Sequence, residues 1–161
     1  MAKGRKRKAA SGDVASNRQA AYRYHLIDRF EAGLVLTGTE VKSLREGKAQ
    51  LKDSYATVRD GEVWLIGLYI PPYGPAAREN HDPERPRKLL LHRSEIEQLE
   101  RGTQERGLTV IPTRIYFSEP RSRAKVEIAV ARGKDLYDKR ETIRKREMAR
   151  DVQRELREAR R

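Results

Sequence analysis

One stretch constrains the fold more than any other. Over residues 22–36, Tyr22, Tyr24, Leu26, Phe30, Ala32, Leu34 and Leu36 fall on alternate positions, with Asp28 the one polar interruption. Arg23, His25, Arg29 and Glu31 occupy the other face. Alternation with a period of two marks a half-buried β-strand. So long a strand has to bend to stay within a small domain, and Gly33 is the expected bend or bulge point. Thr37 and Glu40 have capping-box spacing, with Thr39 a second candidate cap. Val41 and Leu44 then share one face of a short helix, which Gly47 stops. A polar strand face, a glycine and a helix N-terminus therefore follow one another, an order that suits a phosphate backbone.

The rest of the chain reads as further strands. Residues 55–59 and 62–66 flank Asp60-Gly61, a two-residue hairpin signal whose type I′ turn needs positive φ at both positions. Trp64, the only tryptophan, is expected in the core because it lies inside the apolar run 63–66. Pro71, Pro72, Gly74, Pro75, Pro83 and Pro86 make residues 71–86 a long exposed loop. A short strand is expected over 87–91. Ser94 and Glu97 form a second capping box, opening a helix with Ile96 and Leu99 on its buried side. A strand over 108–117 contains Pro112, which suits an edge or a bulge. A last strand over 124–131 puts Val126, Ile128 and Val130 on one face. Five or six antiparallel strands, a helix before the final pair and no βαβ rhythm favour a mainly β fold. The expected form is a small closed antiparallel OB-type barrel with short helices.

Charge divides the chain. Of the net charge of +12 over 161 residues, residues 1–18 carry six Lys/Arg against one Asp, and residues 132–161 carry twelve against seven. Each end is thus +5, leaving +2 for the middle. A nearly neutral centre between two basic extensions points to nucleic acid. Residues 1–16, with Lys3, Arg5, Lys6, Arg7 and Lys8, lack apolar periodicity and are expected to be a disordered basic arm. Either solubilisation or contact with RNA phosphate would account for that arm. Residues 17–132 are the expected RNA-binding domain, and residues 133–161 a basic C-terminal tail. The tail is helix-prone but thinly apolar, with Met148, Val152 and Leu156 at i, i+4 and i+8. Such a helix is marginal alone. It reads as disordered or helix-forming, ordering on a partner, with a permanently docked helix as the alternative.

Catalytic signatures are missing from the sequence. His25, His81 and His92 lack metal-ligand spacing, and the absence of cysteine removes thiolate sites and disulfides. The run from Gly33 to Gly38 imitates the start of a P-loop, but Thr39 stands where lysine is required. There is no G-x-S-x-G elbow, and no carboxylate pair stands out for divided acid and base roles. Neither enzyme activity, metal nor cofactor is expected. No apolar run is long enough to span a bilayer, and the basic N-terminus has no h-region. A cytosolic protein without a membrane partner is the expectation.

Several blocks together resemble one family. They are Asn17-Arg18, Phe30-Glu31-Ala32-Gly33, Gly38-Thr39-Glu40-Val41-Lys42-Ser43-Leu44-Arg45, Asp53-Ser54-Tyr55, Arg87-Lys88-Leu89-Leu90-Leu91, and Gly133-Lys134 with Asp138-Lys139-Arg140. Through these blocks the chain resembles the SsrA-binding protein (SmpB) family from Asn17 into the basic tail. The resemblance implies a monomer that binds the tRNA-like domain of transfer-messenger RNA. It would bring that RNA to stalled ribosomes, including their 16S rRNA, for trans-translation. It also implies an OB-type barrel with a basic tail. By position, Asn17, Glu31 and Leu90 match RNA-binding residues. Arg18, Tyr22, Gly33, Lys42 and Lys88 complete the candidate RNA-binding set. Gly133, Asp138, Lys139 and Arg140 match the tail segment expected in the decoding centre, and Lys134 and Tyr137 complete that set, Tyr137 at a position that is His in some members. Two departures stand out. Tyr22 replaces a common His and Ala21 a common Arg, although a tyrosine ring can still stack on a base.

Overall fold

The computed structural model describes residues 12–105, 107–119, 121–134 and 136–160. The basic residues expected in the N-terminal arm up to Lys8 lie outside this set. Among the described residues there are seven strands and four α-helices: β1 Asp13–Ser16, α1 Ala20–Arg23, β2 Tyr24–Leu34, α2 Gly38–Arg45, β3 Tyr55–Arg59, β4 Glu62–Ile66, β5 Arg87–Leu90, α3 Arg93–Gln104, β6 Leu108–Ser118, β7 Arg123–Gly133 and α4 Leu136–Ala159. The sheet is antiparallel, in the order β1-β6-β3-β4-β5-β2-β7, and an additional β6–β7 pairing joins its ends into a ring with β1 outside on β6. Residues 13–16 are therefore not part of a disordered arm. Ala15 is buried, and the backbone of this segment pairs with residues 114–116 of β6.

Local chemistry accounts for most of these elements. The β3–β4 turn has Asp60 at φ 51° and Gly61 at φ 74°, the doubly positive pair a type I′ turn needs. At the start of α2 the Glu40 carboxylate accepts from the Thr37 backbone N–H at 2.9 Å, closing the expected capping box. For α3 the box lies two residues earlier than Ser94 and Glu97. His92 is the N-cap, and its N–H donates to Glu95 at 3.3 Å. Leu99 is then fully buried.

Inside the ring, Leu44, Leu65, Leu68, Ile70, Leu89, Leu99, Ile115, Val126 and Ile128 form the core. A second, smaller cluster lies on the outer side: Ala20, Ile111 and Ala131, with Tyr24 and Leu26 packed against it. Two bulges produce this division. In β2, Leu26 pairs with Ala131 but Asp28 pairs with Val130, so Ile27 is the extra residue. In β6, Pro112 pairs with Ile128 but Arg114 with Glu127, so Thr113 is extra. Neighbouring residues of β7 point to opposite faces. Each bulge therefore carries the apolar residues of its strand from one face of β7 to the other. The β2 irregularity falls at Ile27, not Gly33, while Pro112 does sit beside a bulge.

Three other expectations change. Tyr22 is not in the strand; it belongs to α1, just before β2 begins. Trp64 is half-buried on the outer face, because Val63 and Leu65 take the two inward positions of β4. Residues 71–86 are not an open loop. They contain a 3₁₀ helix, Gly74–Glu79, and are tied to the core by Ile70 N–H to Pro83 O at 3.0 Å and Ser43 Oγ to Pro71 O at 2.7 Å. His81 is half-buried there, bridging Thr39 Oγ1 and Ile70 O, each at 2.9 Å.

After Gly133, α4 runs as one long helix. It meets α1 at its first turns through Lys134, whose Nζ donates to Ala21 O and Thr142 Oγ1, both at 2.9 Å. Further along, Met148, Val152 and Leu156 are more than half exposed. Among the described residues, no helix is long and apolar enough to cross a membrane.

Candidate nucleic-acid interface

Glu31 lies on the outer face of β2, directly opposite Glu127 of β7. Like charges placed opposite one another destabilise a sheet, so this pair needs donors around it. Glu127 has them: Arg29 Nη1 at 3.0 Å, Thr113 Oγ1 at 2.8 Å and Arg114 Nε at 3.3 Å. Burial pushes the Glu127 carboxyl up, but these donors outweigh it and hold it below the usual carboxylate range. Arg114 also reaches Asp13 of β1 at 2.8 Å, a hydrogen bond that raises its own pKa. Its guanidinium stands 4.3 Å from the centre of the Tyr116 ring. The Tyr116 hydroxyl donates to Glu31 Oε2. A charged lattice thus runs from β1 across β6 and β7 to Glu31 on β2.

Beside Glu31, Gly33 is paired on both sides, with Leu90 of β5 and Lys125 of β7. A Cβ on Gly33 would stand 3.2 Å from the Leu90 Cβ, so a larger residue at this crossing fits only if Leu90 shifts. Leu90, the last residue of β5 and paired only with Gly33, is 55% exposed. Two adjoining hollows open here. Glu31, Leu90, His92, Glu95 and Lys125 line one; Gly33, Leu90, Phe117, Arg123 and Lys125 line the other. The surface therefore combines apolar floor, acid and cations, and suits unstacked bases and their phosphates better than a flat basic patch would. Gly33→Val is expected to displace Leu90 and to lower stability by about 1–3 kcal/mol, as overpacking does. Urea unfolding checks this.

The remaining candidate residues spread over four places. Lys88, on β5 opposite Trp64, is engaged by Glu62 at 2.9 Å. Lys42 lies on α2, with its Nζ 5.6 Å from the Tyr73 ring centre, beside the pinned 71–86 segment. Asn17, Arg18 and Tyr22 lie around α1. Asn17 serves the fold itself. Its Nδ2 donates to Pro112 O at 3.1 Å and its N–H to Thr113 O at 2.7 Å, so it satisfies the carbonyls of the β6 bulge. Tyr22 is half-buried, with the Arg146 guanidinium 6.0 Å from its ring centre. Gly133 ends β7 opposite Tyr24, and Lys134 N–H donates to Arg23 O at 2.8 Å. Lys139 and Arg140 lie in α4. The side chains of Tyr137 and Asp138 lie outside the described residues.

So the fold brings Glu31, Gly33 and Leu90 together and leaves Asn17, Arg18, Tyr22 and Lys42 elsewhere. Reading the sequence missed Arg114, Tyr116, Lys125 and Glu127. The one signal for them was Lys125 and Glu127 alternating with Val126 and Ile128. Among the described residues, no His, Asp or Glu side chains gather as a metal site would need.

The model of the SmpB protein family matches residues 14–158, which takes in β1, the ring and nearly all of α4. The chain belongs to the SmpB family. The SsrA-binding protein of Syntrophomonas wolfei is 57% identical over 145 residues, covering 90% of this chain and 91% of that protein. The SsrA-binding protein of Thermobifida fusca is 52% identical over 162 residues, covering 99% and 100%. A solved structure described as "tmRNA-SmpB: a journey to the center of the bacterial ribosome" contains a similar chain. It has 47% identity and a TM-score of 0.65, over 76% of this chain and 85% of that one. Two structural groups stand out among the residues that carried the SmpB resemblance in sequence. Glu31, Gly33, Lys88 and Leu90 lie on β2 and β5. Glu40 and Ser43 are buried in α2 and bind the 71–86 region.

Proposed function

We propose that this chain is the RNA-binding adaptor of trans-translation. The strand ring acts as an OB-type barrel and binds the tRNA-like domain of transfer-messenger RNA through the surface around Glu31, Gly33 and Leu90. The basic helix α4 then works in the decoding centre and empty mRNA channel of a stalled ribosome, in the cytoplasm and without enzymatic activity of its own. The observation that carries this reading is the family match over residues 14–158. It spans ring and tail together, so the relatives share both parts. The SmpB and tmRNA of the solved relative supply the partner. The surface chemistry agrees: acid, apolar floor and Lys125 recognise unpaired bases, while the basic tail adds counterion release.

The test is the RNA that copurifies with the tagged protein, followed by titration at several salt concentrations. One dominant transfer-messenger RNA is expected. Binding to its tRNA-like domain should weaken with salt yet stay tighter than binding to plain duplex RNA at high salt. Many rRNA fragments, or equal affinities at high salt, would instead mark a general rRNA binder.

A further inference from the structure

We propose that Tyr116 is a positioning residue for RNA recognition: its hydroxyl fixes the Glu31 carboxylate in the orientation that accepts from the donor edge of an unstacked base, and Arg114 holds the Tyr116 ring in place. The proposal rests on the reading of Glu31 as an RNA-facing residue.

An exposed glutamate on a strand has several rotamers, and freezing one on binding costs side-chain entropy. The Tyr116 hydrogen bond removes much of that cost in advance. The ring cannot easily swing away. Arg114 stands 4.3 Å from its centre and is itself held by Asp13 at 2.8 Å and Glu127 at 3.3 Å. Burial, and then the bond to Glu31, push the Tyr116 hydroxyl up to about 12, so it remains a donor throughout the physiological range. A neutral donor leaves the Glu31 charge in place. Carboxylate oxygens offer about four acceptor sites in all, so acceptor positions remain beside the one Tyr116 uses. Phosphate is the wrong ligand for such an acid. A base edge carrying N–H or amino donors is the right one.

The experiment is a double-mutant cycle of Tyr116→Phe and Glu31→Ala, read by gel shift against the tRNA-like domain and against duplex RNA, with thermal unfolding in parallel. Phenylalanine keeps the ring under Arg114 and removes only the hydroxyl. Tyr116→Phe is expected to weaken binding to the tRNA-like domain by about threefold to tenfold, the range of one lost hydrogen bond. Duplex binding should stay at its wild-type value, and the variant should remain fully folded at the temperature of the binding assay. The double variant should bind no worse than Glu31→Ala alone. Wild-type binding by Tyr116→Phe beside weak binding by Glu31→Ala would overturn the positioning role and leave Glu31 in the site. Additive losses would also overturn it. Wild-type binding by Glu31→Ala would instead remove Glu31, and with it the surface reading.

Discussion

Glu40→Ala is expected to lower the unfolding free energy by about 3–5 kcal/mol, the range for removing one partner of a buried ion pair. Glu40 and Arg87 are both fully buried. The carboxylate accepts from Arg87 Nε and from Arg85 Nη2, each at 2.5 Å, and from the Thr37 N–H at 2.9 Å. Arg87 completes its fork on the carbonyls of Leu68 and, at 3.1 Å, Pro83. Without Glu40, a cation remains sealed in the core without its ion-pair partner, and the 71–86 segment loses the Arg85 tie to α2. Urea unfolding followed by circular dichroism measures the loss, and a change below about 1 kcal/mol, the size of an exposed pair, would refute the argument. Acid gives a second check. Burial raises the Glu40 pKa, but Thr37, Arg85 and Arg87 together bring it below the ordinary value of 4.5. A depressed carboxyl contributes stability above its unfolded pKa and loses it as pH falls through the folded one. Stability should therefore decline on acidification below pH 4.5, and Glu40→Gln should flatten that decline.

Replacing Asp138, Lys139 and Arg140 together by alanine is expected to abolish peptide tagging on a message without a stop codon. Binding to the free tRNA-like domain should stay close to wild type. The physical basis is the separation of ring and tail. The ring has its own core, and α4 meets it chiefly through α1, Lys134 and Arg146. Met148, Val152 and Leu156 are 63%, 54% and 56% exposed, so the helix carries an apolar stripe open to a partner. Docking such a helix on a partner freezes its long, exposed side chains, so the contacts must be dense and their register set early. Asp138-Lys139-Arg140, close to the start of α4, is where that register would be set. In vitro tagging beside filter binding tests the idea. Normal tagging by the triple variant, or equal losses in both assays, would refute a division of labour between ring and tail.

The sequence by itself determined the elements whose causes are local. Asp60-Gly61 specifies the β3–β4 turn because two adjacent residues must take positive φ. Thr37 and Glu40 specify the start of α2 across a single turn of chain. At α3 that logic pointed to Ser94/Glu97, but the helix starts two residues earlier, on His92/Glu95, with a histidine where the box ordinarily has Ser or Thr. Leu99 is buried in that helix, as its spacing from Ile96 had indicated. The tertiary structure decided everything that depends on which strand lies opposite which. The even positions of β2 read as one apolar face, yet the Ile27 bulge turns Tyr24 and Leu26 to the outer cluster and Phe30, Ala32 and Leu34 to the core. Trp64 faces outward because its neighbours on both sides claim the interior. Glu40 looked like a simple cap until Arg87, 47 residues away, was brought onto it. Glu31 met Tyr116 across 85 residues. Side chains in a sheet alternate with a period of two, so a one-residue change of register replaces every partner on a face. Polar pairs far apart in the chain therefore exist only after the strands and bulges have set that register.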